Sequence, residues 1–173
     1  MANISNDHDL RDVLNGLSPE QRRVVGASFT KSVMHLCKDE RVARAVETAL
    51  SPTASEVELE DAFRSAKAYA TKTYTDCGKD TDWLAQADHF VAASAAAALT
   101  PSSQLSDKVN PAWKAAVQAR MAKNCEMMEE DEGETESESE RRNRRAAERA
   151  GTRLSAAALR AMAEGRVSVE GRT

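Results

Sequence analysis

Apolar residues recur along most of this chain at three- and four-residue steps, the spacing of one face of an α-helix. Leu10, Val13, Leu14 and Leu17 mark a short helix that starts near Asp7 and ends by Gly16. Ser18-Pro19-Glu20-Gln21 has the form of a helix start. Ser18 is the expected cap, Pro19 takes the first helical position, and Gln21 closes a capping box. Val25, Phe29, Val33 and Leu36 then define a buried stripe. Val42, Ala45, Val46, Ala49 and Leu50 repeat as i, i+3, i+4, i+7 and i+8 until Ser51-Pro52 stops the run.

Ser55 is the next expected cap, with Glu56, Glu58, Glu60 and Asp61 in the first turns, where the helix dipole favours anions. Leu59, Phe63, Ala66, Ala70 and Tyr74 give the inward stripe, and Gly78 ends the element. Asp80 or Thr81 is expected to cap another helix, with Trp83 or Leu84, Ala87, Phe90 or Val91, Ser94 and Ala98 on its inner face. The stretch from Ala92 to Ala98 is small all round, which lets neighbouring helices come close. Thr100-Pro101 ends that helix, and residues 100–109 read as a polar loop. Asn110-Pro111 opens one more helix, with Trp113, Val117 and Met121 on one side, fading near Met128.

From Glu129 the apolar pattern stops, and residues 129–139 read as a solvated, disordered acidic linker. Residues 140–164 read as a charged C-terminal helix, amphipathic only in its second half at Leu154, Ala158, Ala161 and Met162, and residues 165–173 as a frayed tail. The expected architecture is all-α: a bundle of five to six helices over residues 7–128, followed by the linker and the charged helix.

Composition supports that class. Seven aromatic residues and many alanines point to a core of closely packed helices. Seven glycines and four prolines are too few for the tight turns of an all-β protein. The longest apolar-looking run, Phe90 to Leu99, is about half of what a membrane-spanning helix needs. The N-terminal residues Met-Ala-Asn-Ile-Ser-Asn-Asp-His-Asp have neither a basic start nor an apolar stretch, so neither a signal nor a transit peptide is expected. Cys37, Cys77 and Cys125 form an odd, widely spaced set that fits reduced thiols in a cytoplasm better than a disulfide framework.

Net charge is −4, but its distribution says more than its sum. Residues 1–125 are nearly balanced, with 15 Lys/Arg against 16 Asp/Glu. Residues 126–140 hold nine acidic residues and no basic one, and residues 141–153 hold six arginines against the single Glu148. Arg141, Arg145, Arg149 and Arg153 recur every four residues, so on a helix they spread over a sector of about 120°. Such a face suits phosphates or an acidic protein surface. Residues 126–173 carry no aromatic side chain for base stacking, and the acidic run beside the arginines repels phosphate, which counts against nucleic acid. Glu140, Arg144 and Glu148 also form an i, i+4 ladder of the kind that stabilises a solvated helix.

Candidate chemistry is sparse. His35 and Cys37 are two residues apart and Asp88-His89 adjacent, spacings that send helical side chains in different directions. A metal site would need a tertiary gathering of His35, Cys37, Cys77 and His89. The acidic turn Asp76-Cys77-Gly78-Lys79-Asp80-Thr81-Asp82 lacks the pattern of a calcium loop and is fully explained as a helix stop followed by an N-cap. The sequence has no nucleophile elbow, no glycine-rich phosphate loop and no His-Glu-x-x-His pair. The reading therefore calls for no catalytic residue, no cofactor and no metal.

Between Leu59 and Met128 the segments Ala-Phe-Arg-Ser-Ala-Lys-Ala-Tyr-Ala and Phe-Val-Ala-Ala-Ser-Ala-Ala-Ala-Ala-Leu resemble the alanine-rich helical immunity proteins of bacterial toxin systems. The resemblance covers under half of the chain and assigns no functional residue. It implies a helical fold and a protein partner. The expected function is thus that of a non-enzymatic cytoplasmic protein that binds another protein as an adaptor, regulator or inhibitor. The expected contact is the C-terminal helix, through Arg141, Arg145, Arg149 and Arg153 and the apolar positions Leu154, Leu159 and Met162. The alternatives are an immunity-type inhibitor that works through the bundle body, and a nucleic-acid-associated protein that uses the arginine face.

Overall fold

Capping side chains fix where most of the helices begin. The computed structural model describes residues 4–76, 82–105 and 109–130, together with Ala146, Ala147 and Arg149. Helix α1 (Asp7–Asn15) is capped by Asn6, whose side chain accepts from the amides of His8 and Asp9. Helix α2 (Pro19–Ser32) carries the expected capping box, with the Gln21 amide donating to Ser18 Oγ at 3.2 Å and the Ser18 amide to Gln21 Oε1 at 2.9 Å. A 3₁₀ turn (Met34–Leu36) leads to α3 (Glu40–Leu50), capped by Asp39. Ser55 and Glu58 form a second reciprocal box at the start of α4 (Glu56–Asp76).

The next cap differs from the expectation. Helix α5 (Trp83–Ala98) is capped by Asp82, whose side chain accepts from the Ala85 amide at 2.8 Å. Three acidic or hydroxyl residues compete over this short turn, and local sequence does not separate them. After a second 3₁₀ turn (Ser102–Gln104), Asn110 caps α6 (Pro111–Glu130) through the amides of Ala112 and Trp113. These six α-helices, with no strand among the described residues, make an all-α bundle. No helix of the described residues is long and apolar enough to cross a membrane. The linker and the charged helix expected over 129–139 and 140–164 fall almost wholly outside the described residues, apart from Glu129 and Glu130 at the end of α6 and helical backbone at Ala146, Ala147 and Arg149. The tail over 165–173 lies outside them entirely.

Helix α5 is the central element. It packs most extensively on α6, then on α4 and α2, and touches α3. Gly26 of α2 lies where α2, α5 and α6 cross: a Cβ there would stand 3.0 Å from Ala98 Cβ and 3.4 Å from Ala112 Cα. The Ser94 hydroxyl, fully buried, donates to the Ala115 carbonyl at 2.9 Å and meets Thr30 Oγ1 at 2.8 Å. Thr30 in turn reaches the Gly26 carbonyl, so the two hydroxyls tie α2, α5 and α6 together with their polar groups satisfied. Two adjacent arginines of α2 close two other helices. Arg22 donates to the carbonyls of Leu14 and Asn15, and Arg23 to those of Ala49 and Ser51, at the negative ends of α1 and α3.

One expected core stripe is corrected. Tyr74 does not face inward but is 72% exposed, and Thr73 takes the inner position. Steps of four residues drift about 40° per turn, so Tyr74, two such steps beyond Ala66, has left the buried face. On α6 the inner face is Ala112, Ala115, Ala116, Ala119 and Ala122, whereas Trp113 is half-buried and Met121 is 40% exposed. Close approach to the alanines of α5 leaves no room there for large side chains.

Candidate functional groove

The register of three helices shapes the site. Ser94 meets Ala115, and Ala98 lies with Ala112 at the Gly26 crossing, so α5 and α6 are antiparallel. His89 meets Ala70, Thr73 and Tyr74 toward the end of α4, and the short connection between the two helices closes a second antiparallel pair. Helices α4 and α6 therefore run parallel to each other on either side of α5. Between them lies an open groove of about 460 Å³.

Its floor is Ala93, Ala96 and Ala97 of α5, at i, i+3 and i+4. One wall is Phe63, Lys67, Ala70, Thr71 and Tyr74 of α4, and the other is Lys114 and Gln118 of α6. His89 closes one end beside Tyr74, and Thr100 and Gln104 stand at the Lys114 end. Among the described residues no carboxylate lines it. Lys67 lies over the Phe63 ring at 5.3 Å, and among the described residues neither Lys67 nor Lys114 forms an ion pair. Both ammonium groups are thus free to meet an anion.

The His89 ring is oriented by its neighbours. Nδ1 is 3.0 Å from the Ala70 carbonyl, which only accepts, so Nδ1 carries the proton and donates. Thr73 Oγ1 lies 3.1 Å from the same nitrogen and donates its own proton to the Tyr69 carbonyl at 3.0 Å. In the neutral ring this leaves Nε2 as an acceptor, and in the charged ring as a donor.

A second polar cluster lies outside this groove. Tyr69 donates its hydroxyl to Asp88 Oδ2 at 2.6 Å, Cys37 sits beside the same carboxylate, and Asp88 Oδ1 is buried with no partner among the described residues. Burial and then the Asp88 carboxylate push the Cys37 thiol up to about 12 and the Tyr69 phenol well above its ordinary range. Both groups stay protonated at neutral pH, the opposite of nucleophile activation. Arg41 covers the Tyr69 ring at 5.4 Å and pairs with Asp39, so the cluster latches the segment before α3 onto α4 and α5. A third contact joins His35 Nε2 to Glu126 Oε1 at 3.0 Å, with Lys123 on the same carboxylate. Burial alone would raise Glu126, but the bonds from Lys123 and His35 together hold it below the usual carboxylate range.

Among the described residues no group of three or more His, Cys, Asp and Glu side chains is placed to hold a metal ion. His35 and His89 are committed to α6 and α4 respectively, and Cys77 lies outside the described residues. Of the contact residues expected from sequence, Arg149 is exposed in helical backbone. Arg141, Arg145, Arg153, Leu154, Leu159 and Met162 lie outside the described residues. The groove escaped the sequence reading because its lysines come from helices that are not neighbours in sequence. The signal available in sequence was Lys67, a lone cation in the alanine-rich segment Ala66-Lys67-Ala68. Comparison with family models, with curated proteins and with solved structures gives no match.

Proposed function

We propose that this protein acts by binding another protein, without catalysis of its own, and that the α4–α5–α6 groove receives an acidic part of that partner. The observation that carries the reading is the pairing, among the described residues, of two lysines without an ion pair and a lining without carboxylates over an apolar floor. Tyr74, 72% exposed at the groove end, adds an aromatic anchor of the kind enriched in protein contacts. The protonated thiol and phenol beside Asp88 argue against a nucleophilic role for that cluster. The free thiol of Cys37 is in keeping with a cytoplasmic setting. Adaptor and inhibitor are both covered by this reading, since each needs a docking face and no reaction.

The test is co-purification from the native host with three full-length forms: the parent, Lys67→Glu with Lys114→Glu, and a form with Arg141, Arg145, Arg149 and Arg153 changed to Ala. A specific protein kept by the parent and the arginine variant, and lost from the lysine variant with its helical content intact, supports the groove. A protein lost only with the arginines moves the contact to the C-terminal segment. Nucleic acid retained by the parent and lost with the arginines overturns the protein-binding reading.

A further inference from the structure

We infer that the occupant of the groove is an α-helix of the partner, bearing carboxylates toward Lys67 and Lys114, rather than an extended strand or a loop. The inference rests on the docking reading above and specifies its ligand. Three features of the site carry it.

The first is the state of the backbone around the groove. Floor and walls are helical, so their amides and carbonyls are already paired within α4, α5 and α6. The Ala96 carbonyl additionally accepts the Thr100 hydroxyl at 3.0 Å. An extended peptide laid on this floor would find no ladder for its own backbone groups and would leave them unpaired against alanine. A helix satisfies its backbone internally and can lie there without that penalty.

The second is shape. Two parallel helices packed on a third at about 8–10 Å leave a trough between them that matches the diameter of one more helix. From Phe63 to Tyr74 the wall runs about 16 Å, or three helical turns. The short floor side chains permit backbone approach along that length.

The third is the distribution of charge and apolar surface, which gives the groove two unlike ends. Lys114 stands near Thr100 and Gln104, Lys67 lies midway along the opposite wall, and Tyr74 and His89 close the far end. A partner helix with carboxylates over its first two groove turns and an apolar side chain at the third meets both ends. Reversed, it would set a carboxylate on the Tyr74 ring and leave Lys114 unmatched.

The experiment uses the isotope-labelled full-length protein and three synthetic probes of about four helical turns. One is an alanine-based peptide with glutamates at i, i+4 and a distal leucine, locked as a helix by side-chain linkage. The second has the same composition with two central prolines, and the third replaces glutamate by lysine. The locked acidic helix is expected to shift the amide resonances of Ala93, Ala96 and Ala97 and to bind at least about tenfold more tightly than the proline form, since helix formation is already complete. Equal binding of the proline form at the same resonances overturns the helix inference and leaves acidic docking intact. Failure of both acidic probes to move the groove resonances, or equal binding by the lysine probe, overturns the docking reading itself. A full-length variant with Glu132, Glu134, Glu136, Glu138 and Glu140 changed to Gln completes the test. Groove resonances that already differ between it and the parent would show this chain's own acidic run in the groove, which contradicts a partner helix as its occupant.

Discussion

Gly26 is the position where a single methyl group reports most sharply on the packing that holds α5 in place. A Cβ there would stand 3.0 Å from Ala98 Cβ, 3.3 Å from Ala98 Cα and 3.4 Å from Ala112 Cα. Carbon atoms settle at about 3.5–4.0 Å, so α2 would have to retreat by about half an ångström from two helices at once. Two of the three contacted atoms belong to helix backbone, which cannot rotate away as a flexible side chain can. Replacing Gly by Ala in a helix interior gains about 1 kcal/mol of propensity. Overpacking a tight crossing costs about 1–3 kcal/mol. Taking the middle of that range, Gly26→Ala should be net destabilising by about 1 kcal/mol, lowering Tm by about 2–4 °C for a chain of this size. Gly16→Ala is the control. Gly16 ends α1 with φ −75°, and a Cβ there meets nothing nearer than the Val13 carbonyl oxygen at 3.5 Å. Urea and thermal unfolding of the two variants beside the parent would decide the matter. If Gly26→Ala stabilises the protein as much as or more than Gly16→Ala, the crossing is looser than described and the fixed position of α5 beneath the groove loses its physical basis.

The other predictions concern the polar contacts. Asp7 is held below the ordinary carboxylate range, chiefly by its hydrogen bonds from Arg120, which reach its two oxygens at 2.7 and 2.9 Å. Because the folded value is depressed, that stabilisation is present above about pH 4 and is lost as pH falls through the lowered value. Asp7→Asn should cost about 0.5–1 kcal/mol in urea unfolding near neutral pH and reduce the loss of stability in acid, whereas an unchanged acid slope would contradict it. Tyr69→Phe removes a hydrogen bond to Asp88 Oδ2 while Oδ1 stays buried without a partner among the described residues, so a loss of about 1–3 kcal/mol is expected in the same assay, and parental stability would refute the bond. Cys37, pushed up to about 12 by burial and Asp88, should be alkylated by iodoacetamide about a thousandfold more slowly near pH 8 than an exposed thiol, read from its own peptide by mass spectrometry. Alkylation of Cys37 at the rate of a free thiol would contradict its described setting.

Helix starts were legible where a capping side chain is fixed by a neighbour of defined role. Ser18, locked by Pro19 and Gln21, and Ser55, locked by Glu58, both emerge from sequence as caps. The start of α5 was not legible to the residue, because Asp80, Thr81 and Asp82 all satisfy the local chemistry. Periodicity located the buried faces of α3 and most of α4, since Val42, Ala45, Val46 and Ala49 follow the true helical period. It failed for Tyr74, which has drifted off the buried face, and it did not mark the inner face of α6, which packing gives to alanine. The groove was beyond local reading altogether. It depends on the register of α4 and α6 against α5, set by contacts such as Ser94 with Ala115 and His89 with Ala70 that no local pattern encodes. The corresponding tie between Thr30 and Ser94 is equally invisible in the sequence.

The most direct test of the docking claim is contact itself, captured in the native host. A photoreactive residue placed at Thr71 on the groove wall, beside a control at the exposed Glu20 of α2, would be irradiated in the full-length protein. The account predicts a discrete protein adduct from position 71, none from position 20, and loss of that adduct when Lys67 and Lys114 are changed to Glu. Adducts of equal strength from both positions, or an adduct from position 71 that survives the lysine reversal unchanged, would contradict it.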